Sequence, residues 1–127
     1  MAFLSEEQAA AIREHMCSDF KILAAKYKLR RKTHEERSVS FNEAEVLKEQ
    51  GWTELVAKKT KVRLQKKKEV GPAFEDKIWA MFYDLGFRCL NRDEHLVIKW
   101  GEGEGDHKQV DVVAVGDDAI FVVECKA

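Results

Sequence analysis

The apolar and polar positions along the chain change period several times, and each change marks a candidate element. Ser5-Glu-Glu-Gln8 has the pattern of a capping box, in which the Ser5 hydroxyl and the Gln8 side chain satisfy each other's backbone N–H groups. Behind it Ile12, Met16, Phe20, Leu23 and Tyr27 recur at helical spacing, which predicts one amphipathic helix over about 6–28. The basic, polar stretch from Arg30 to Arg37 reads as a loop or frayed end. Ser40-Phe-Asn-Glu43 is a second capping box, whose helix runs to about Gln50 and stops at Gly51. Over 53–65 the helical period disappears. Val62 and Leu64 alternate with charges there, which predicts an extended segment or edge strand.

Gly71-Pro72 opens a second part. Proline suits the first turn of a helix, where its missing N–H costs nothing. Phe74, Ile78, Met81 and Leu85 then form one apolar stripe, and Gly86 ends the helix. Glu75 lies on the flank of that stripe, on the side of Trp79 and Phe82. Three strands follow, at 95–100, 109–115 and 119–125. The last two are apolar on both faces, as central strands are. The expected organisation is a helical, basic N-terminal region with a linker over 1–70 and an α+β core over 71–127.

Composition agrees with a folded protein. Apolar residues make up 45% of the 127, enough for a core. No apolar run is long enough to span a bilayer, and the start lacks the basic and apolar regions of a secretory signal. Cys17, Cys89 and Cys125 are odd in number and form no CxxC pair, so neither a disulfide framework nor a zinc ribbon is supported. A soluble protein of a reducing compartment, the cytoplasm, is expected. The net charge of −1 conceals an asymmetry. Residues 1–70 hold 16 basic and 11 acidic side chains, and residues 71–127 hold 6 and 12. Lys58, Lys59, Lys61, Arg63, Lys66, Lys67 and Lys68 lie together without an acid. Such a run can follow a phosphate backbone, although a charge run alone is more often a solvated surface.

The chemistry gathers on the last two strands. Asp111 interrupts one apolar strand, and Glu124 and Lys126 interrupt the end of the next. Glu124 and Lys126 are two apart and share a face. If Gly116-Asp117 is a two-residue loop, Asp111 lies opposite Val122, diagonal to Glu124; if Asp117-Asp118 is the loop, Asp111 lies directly opposite Glu124. Either even loop puts all three charges on one face, and a glycine-first turn favours an even loop. A three-residue loop would move Asp111 to the other face unless a bulge corrected it. Two carboxylates on neighbouring strands repel, and a divalent cation such as Mg²⁺ or Mn²⁺ would compensate them. A metal there suits phosphodiester hydrolysis, with Lys126 beside the attacking water.

Asp111, followed after twelve residues by Glu124-Cys125-Lys126 and preceded by a helix carrying Glu75, resembles the PD-(D/E)XK nuclease superfamily. The resemblance implies a restriction-endonuclease-like core, a helix followed by three mostly antiparallel strands. It implies Asp111, Glu124 and the Cys125 backbone carbonyl as metal ligands, Lys126 as the catalytic lysine and Glu75 as an accessory acid. Val110 stands where the family often has proline. More narrowly, Phe74-Glu-Asp-Lys-Ile-Trp79, Leu85-Gly-Phe87, Gln109-Val-Asp111 and Val123-Glu-Cys-Lys126 are similar to the nuclease-like N-terminal region of DGQHR-domain proteins, which are linked to DNA phosphorothioation and phage defence. No DGQHR motif is present. The resemblance covers about 71–127, without the superfamily's second core helix and fourth strand. This predicts an uncovered sheet face and a free strand edge. A longer chain supplying the missing C-terminal half, a homodimer, or the N-terminal helices would cover them.

The expected function is metal-dependent hydrolysis of DNA. The alternative is a catalytically inactive nuclease-fold module for nucleic-acid binding or protein assembly. Other features have plainer readings. Gly101-Glu-Gly-Glu-Gly-Asp106 lacks EF-hand spacing and reads as a hairpin loop. His107 reads as a loop-end residue. Cys17 and the Cys125 side chain read as packing, and Trp52, Trp79 and Trp100 as core or interface anchors.

Overall fold

The computed structural model describes residues 5–93, 96–100 and 106–125. The protein is α+β, with four helices and antiparallel sheets among the described residues. It divides into two units: residues 1–31 with 71–127, and an insertion over 32–70. The boundary expected at residue 70 is therefore only one of two. The N-terminal residues belong with the C-terminal half.

In the first unit the expected helix over 6–28 is two helices, α1 (Glu6–Arg13) and α2 (Phe20–Arg31), separated by the short strand β1 (Met16–Cys17). The capping box at Ser5 forms as expected. The break comes from Asp19, whose Oδ1 accepts from the N–H groups of Lys21 and Ile22 at 3.0 Å each. A side chain that caps a new helix start competes with continuation of the old one. β1 instead pairs with β5 (Leu90–Asn91), a strand too short to give a sequence signal. Residues 30–31 end α2, and most of the expected loop that follows is strand.

α4 (Val70–Asp84) ends near Gly86, whose φ of 103° suits a residue without a side chain. It buries a different face from the predicted stripe. Asp76, Trp79, Ala80 and Phe82 are buried, whereas Phe74, Met81 and Leu85 are 38%, 44% and 68% exposed. The helix is apolar on both sides, so periodicity alone could not choose between them. The chosen face meets partners for its polar groups. The Trp79 indole N–H donates to the Asn91 carbonyl at 3.0 Å, and Asp76 pairs with Arg30 at 2.9 Å. Cys17, Leu23, Trp79, Phe82, Leu90, Val112 and Ala114 form the core on this side.

The strands β6 (Leu96–Trp100), β7 (Asp106–Val110), β8 (Val112–Val115) and β9 (Ile120–Val123) complete this unit. β6 pairs with β7, and the larger sheet has the order β1-β5-β8-β9, all antiparallel. β8 is central as expected, but β9 lies at the edge, with Phe121 and Val122 exposed. α1 packs Ala11 and Ile12 with Leu96, Ile98, Val110 and Val113, so the N-terminal helix does cover apolar strand residues. Residues 101–105 and the side chains of Trp100 and His107 lie outside the described residues.

The insertion is a βαββ unit: β2 (His34–Val39), α3 (Phe41–Glu49), β3 (Thr53–Ala57) and β4 (Val62–Lys67), with sheet order β2-β4-β3. The N-terminal half is thus not simply helical, and the expected edge strand is a hairpin whose second strand is central. Ser40 caps α3, and Gly51, with φ 98°, follows its end. Val39, Ala44, Leu47, Trp52, Val62 and Leu64 form the unit's own core. Among the described residues no helix is long and apolar enough to cross a membrane.

Candidate functional site

Asp111 stands where one long strand changes partners. Before it β7 pairs with β6, and after it β8 pairs with β5 and β9. The β8–β9 register pairs Val115 with Ile120 and Val112 with Val123, and Gly116 N–H donates to the Ala119 carbonyl at 2.8 Å. The loop is therefore Asp117-Asp118, the second of the two even loops. Gly116 is not the first turn residue. A Cβ there would come within 3.1 Å of the Phe87 ring, so its role is close approach.

Regular continuation of this register would set Asp111 opposite Glu124. The ladder is irregular there. Asp111 N–H donates to the Val123 carbonyl at 3.2 Å, although Val123 is already the partner of Val112. Val110 and Val113 pack in one cluster although they are three apart, while Val112 packs in the other. An odd separation on one face requires one extra residue, so Asp111 is a bulge. Bulges commonly re-aim a side chain, and this one does. The Asp111 carboxylate accepts the Cys125 backbone N–H at 2.7 Å. Strand parity therefore no longer ties Asp111 to the face of Glu124 and Lys126.

Asn91 holds the bulge in place. It is wholly buried, and its Oδ1 accepts from Val113 N–H at 3.0 Å. Its Nδ2 donates to the carbonyls of Asp93 at 3.0 Å and Asp111 at 3.4 Å. The side chain thus stands in for backbone ladder bonds where β5 pairs with β8 through Leu90 and Ala114. A lone asparagine between Leu90 and Arg92 carries no periodicity or spacing signal. Asp76 did leave a trace, as an acid on the same helical face as Trp79.

Glu75 is half-buried, Glu124 is exposed, and both have interaction partners. Burial first, and then the negative fields of Asp111 and Glu75, push the Cys125 thiol up. Both carboxylates therefore act on the thiol of the residue that follows Glu124. Lys126 lies outside the described residues. Asp111 keeps Oδ1 without a protein hydrogen bond among the described residues. No three His, Cys, Asp or Glu side chains there are grouped closely enough to hold a metal ion by themselves. The donors still suit Mg²⁺, which takes one or two carboxylates and keeps several waters. Asp111 and Glu124, with the Cys125 carbonyl, would hold it.

The seven basic residues divide in the insertion. Lys58, Lys59 and Lys61 are exposed at the β3–β4 turn, where Lys58 N–H donates to the Lys61 carbonyl at 2.8 Å. Arg63 is bound to Glu36 at 2.8 Å, and Lys66 lies across the ladder from Glu35. Lys67 pairs in register with His34, and Lys68 follows the strand. The run is thus one hairpin tip and one strand, not a single line of charge. No family model matches this chain, and neither the curated proteins nor the solved structures offered a match.

Proposed function

We propose that the chain is a metal-dependent phosphodiester hydrolase acting on DNA, a nuclease of the PD-(D/E)XK kind. The observation that carries this reading is the bulge at Asp111, which brings its carboxylate to the Cys125 backbone N–H, next to Glu124 and within the electrostatic reach of Glu75. Mg²⁺ or Mn²⁺, when bound, supplies Lewis-acid activation of a phosphoryl oxygen and of a water. Asp111 and Glu124 would hold the ion, with Glu75 as an accessory acid. The Cys125 N–H fixes one Asp111 oxygen, so the other is oriented before anything binds. Lys126 serves the attacking water and steadies the charge that develops on the phosphate. A role in defence against foreign DNA follows only from the sequence resemblance.

The test is cleavage of plasmid DNA in Mg²⁺ and in Mn²⁺ by the wild type, Asp111→Ala, Glu124→Ala and Lys126→Ala, with circular dichroism on each. Loss of cleavage in all three folded variants is expected. Wild-type rates from Lys126→Ala would sink the mechanism.

The hairpin tip favours a second reading, a nucleic-acid-binding module that keeps the fold without catalysis. Three exposed lysines in four residues give a cationic hairpin tip. Changing Lys58, Lys59 and Lys61 to Gln would then weaken DNA binding and flatten its salt dependence, by roughly 0.9 in the log–log slope for each phosphate no longer neutralised. Binding insensitive to those changes excludes this reading.

A further inference from the structure

We propose that the pocket between α2 and the turn after β5 seats a phosphate group of a nucleic-acid backbone beside Asp111. This rests on the reading of the chain as a phosphodiesterase and adds a binding site to it. The pocket encloses about 320 Å³ and is lined by Lys26, Leu29, Arg30, Arg92 and Asp93. Three of its five residues are cationic.

The cations are held in different ways. Arg30 is fixed: its guanidinium pairs with Asp76 at 2.9 Å and lies 4.9 Å over the Trp79 ring, and its side chain is 7% exposed. Its orientation is set before a ligand arrives, so little entropy is lost on binding. Lys26 has no acidic partner among the described residues. Arg92 meets Asp93 only through Nε at 3.5 Å, which leaves its two Nη groups for another acceptor. A planar guanidinium fork with an ammonium beside it matches the oxygens of a phosphate. The helix dipole accounts for basic residues in the last turn of α2. It does not account for Arg92, which is not on a helix, or for Lys26, which precedes that turn.

The pocket is also in the right place. One amide, Asn91 Nδ2, donates both to the carbonyl of Asp93 on the pocket rim and to that of Asp111. The pocket rim and the bulge that carries Asp111 are therefore neighbours, joined through one buried amide. Arg30, Asp76, Trp79 and Asn91 form one buried frame under both places.

The experiment measures binding of a short DNA duplex by fluorescence anisotropy in metal-free buffer at several salt concentrations. It compares the wild type with the double variant Lys26→Gln/Arg92→Gln. Inorganic phosphate is titrated separately, with amide NMR shifts as the readout. Both changed residues of the double variant lie on the pocket wall and Arg30 is untouched, so folding is retained and checked by thermal melting. The double variant is expected to bind DNA about tenfold more weakly, with a salt slope shallower by roughly one. An unchanged affinity and slope in the double variant overturns the proposal. Phosphate shifts at the pocket with unchanged DNA affinity also overturn it, because the site would then serve free phosphate. Failure of the wild type to cleave DNA, with the pocket effect present, removes the hydrolytic reading and leaves the pocket.

Discussion

The Cys125 backbone N–H donates to the Asp111 carboxylate across 2.7 Å, joining a strand bulge to the end of the neighbouring edge strand. A charge-assisted bond of this kind is stronger than a neutral one. It also explains how an acid is tolerated in an otherwise apolar strand.

Asp111→Asn and Asp111→Ala should therefore separate structure from chemistry. Asn keeps an oxygen acceptor for Cys125 and should unfold within about 1 kcal/mol of the wild type, whereas Ala leaves the N–H unpaired and should lose about 1–3 kcal/mol. Urea titration measures both. Both variants should lose metal-dependent cleavage, because each removes the anionic ligand. Cleavage by Asp111→Asn at the wild-type rate would remove Asp111 from the ligand set.

Asn91→Ala should be among the most damaging single changes in the chain. It strips partners from Val113 N–H and from the carbonyls of Asp93 and Asp111, in a fully buried position. A loss of roughly 3 kcal/mol or more is expected from unsatisfied buried groups together with the void. A midpoint shift small enough to mean less than about 1 kcal/mol would show that water replaces the amide.

Arg30 and Asp76 are both buried and bonded at 2.9 Å. Removing either alone, as Arg30→Met or Asp76→Leu, should cost about 3–5 kcal/mol, because a buried charge loses its 2.9 Å partner. The double change should cost much less. Additive losses in this cycle would mean that the two groups are not coupled.

Cys125 should be slow to alkylate. Burial and the carboxylates of Asp111 and Glu75 disfavour its thiolate, so its ionisation lies above that of an ordinary thiol. Because the folded state holds the proton more tightly than the unfolded state, this contribution to stability is present below the ordinary thiol pKa and fades as pH rises. Glu75→Gln should lower the Cys125 pKa, read as a shift to lower pH of its iodoacetamide rate by peptide mapping. An unchanged profile would place Glu75 too far from Cys125 to act on the candidate site.

Local signals in the sequence were enough for some elements. The capping box at Ser5, the Ser40 cap, which forms only the hydroxyl half of the expected box, and the stops at Gly51 and Gly86 act within one helical turn, so they could be read from neighbours alone. The loop between β8 and β9 has the expected even length but not the expected turn, because the Gly116 N–H donates to the Ala119 carbonyl and the turn residues are Asp117-Asp118. The break between α1 and α2 was not, because Met16 and Phe20 keep the helical period while Asp19 caps a new helix and β1 finds a distant partner. Nor was the buried face of α4. Both its stripes are apolar, and the choice was made by Asn91 and Arg30, which meet Trp79 and Asp76 only after the chain has folded.

Neighbouring residues alone point to an α+β protein and to an acid, Asp111, set within an apolar extended run, whereas Glu124 falls just beyond the end of β9. Alternation, end signals and charge placement are properties of neighbours, and neighbours are what a sequence records. Long-range packing places residues 1–31 with the C-terminal half, while 32–70 form their own unit. It also turned Asp111 out of strand parity by a bulge. That bulge depends on hydrogen bonds donated by Asn91 and Cys125 and accepted by Val123, residues 12 to 20 positions away, and no local pattern encodes a partner at that range.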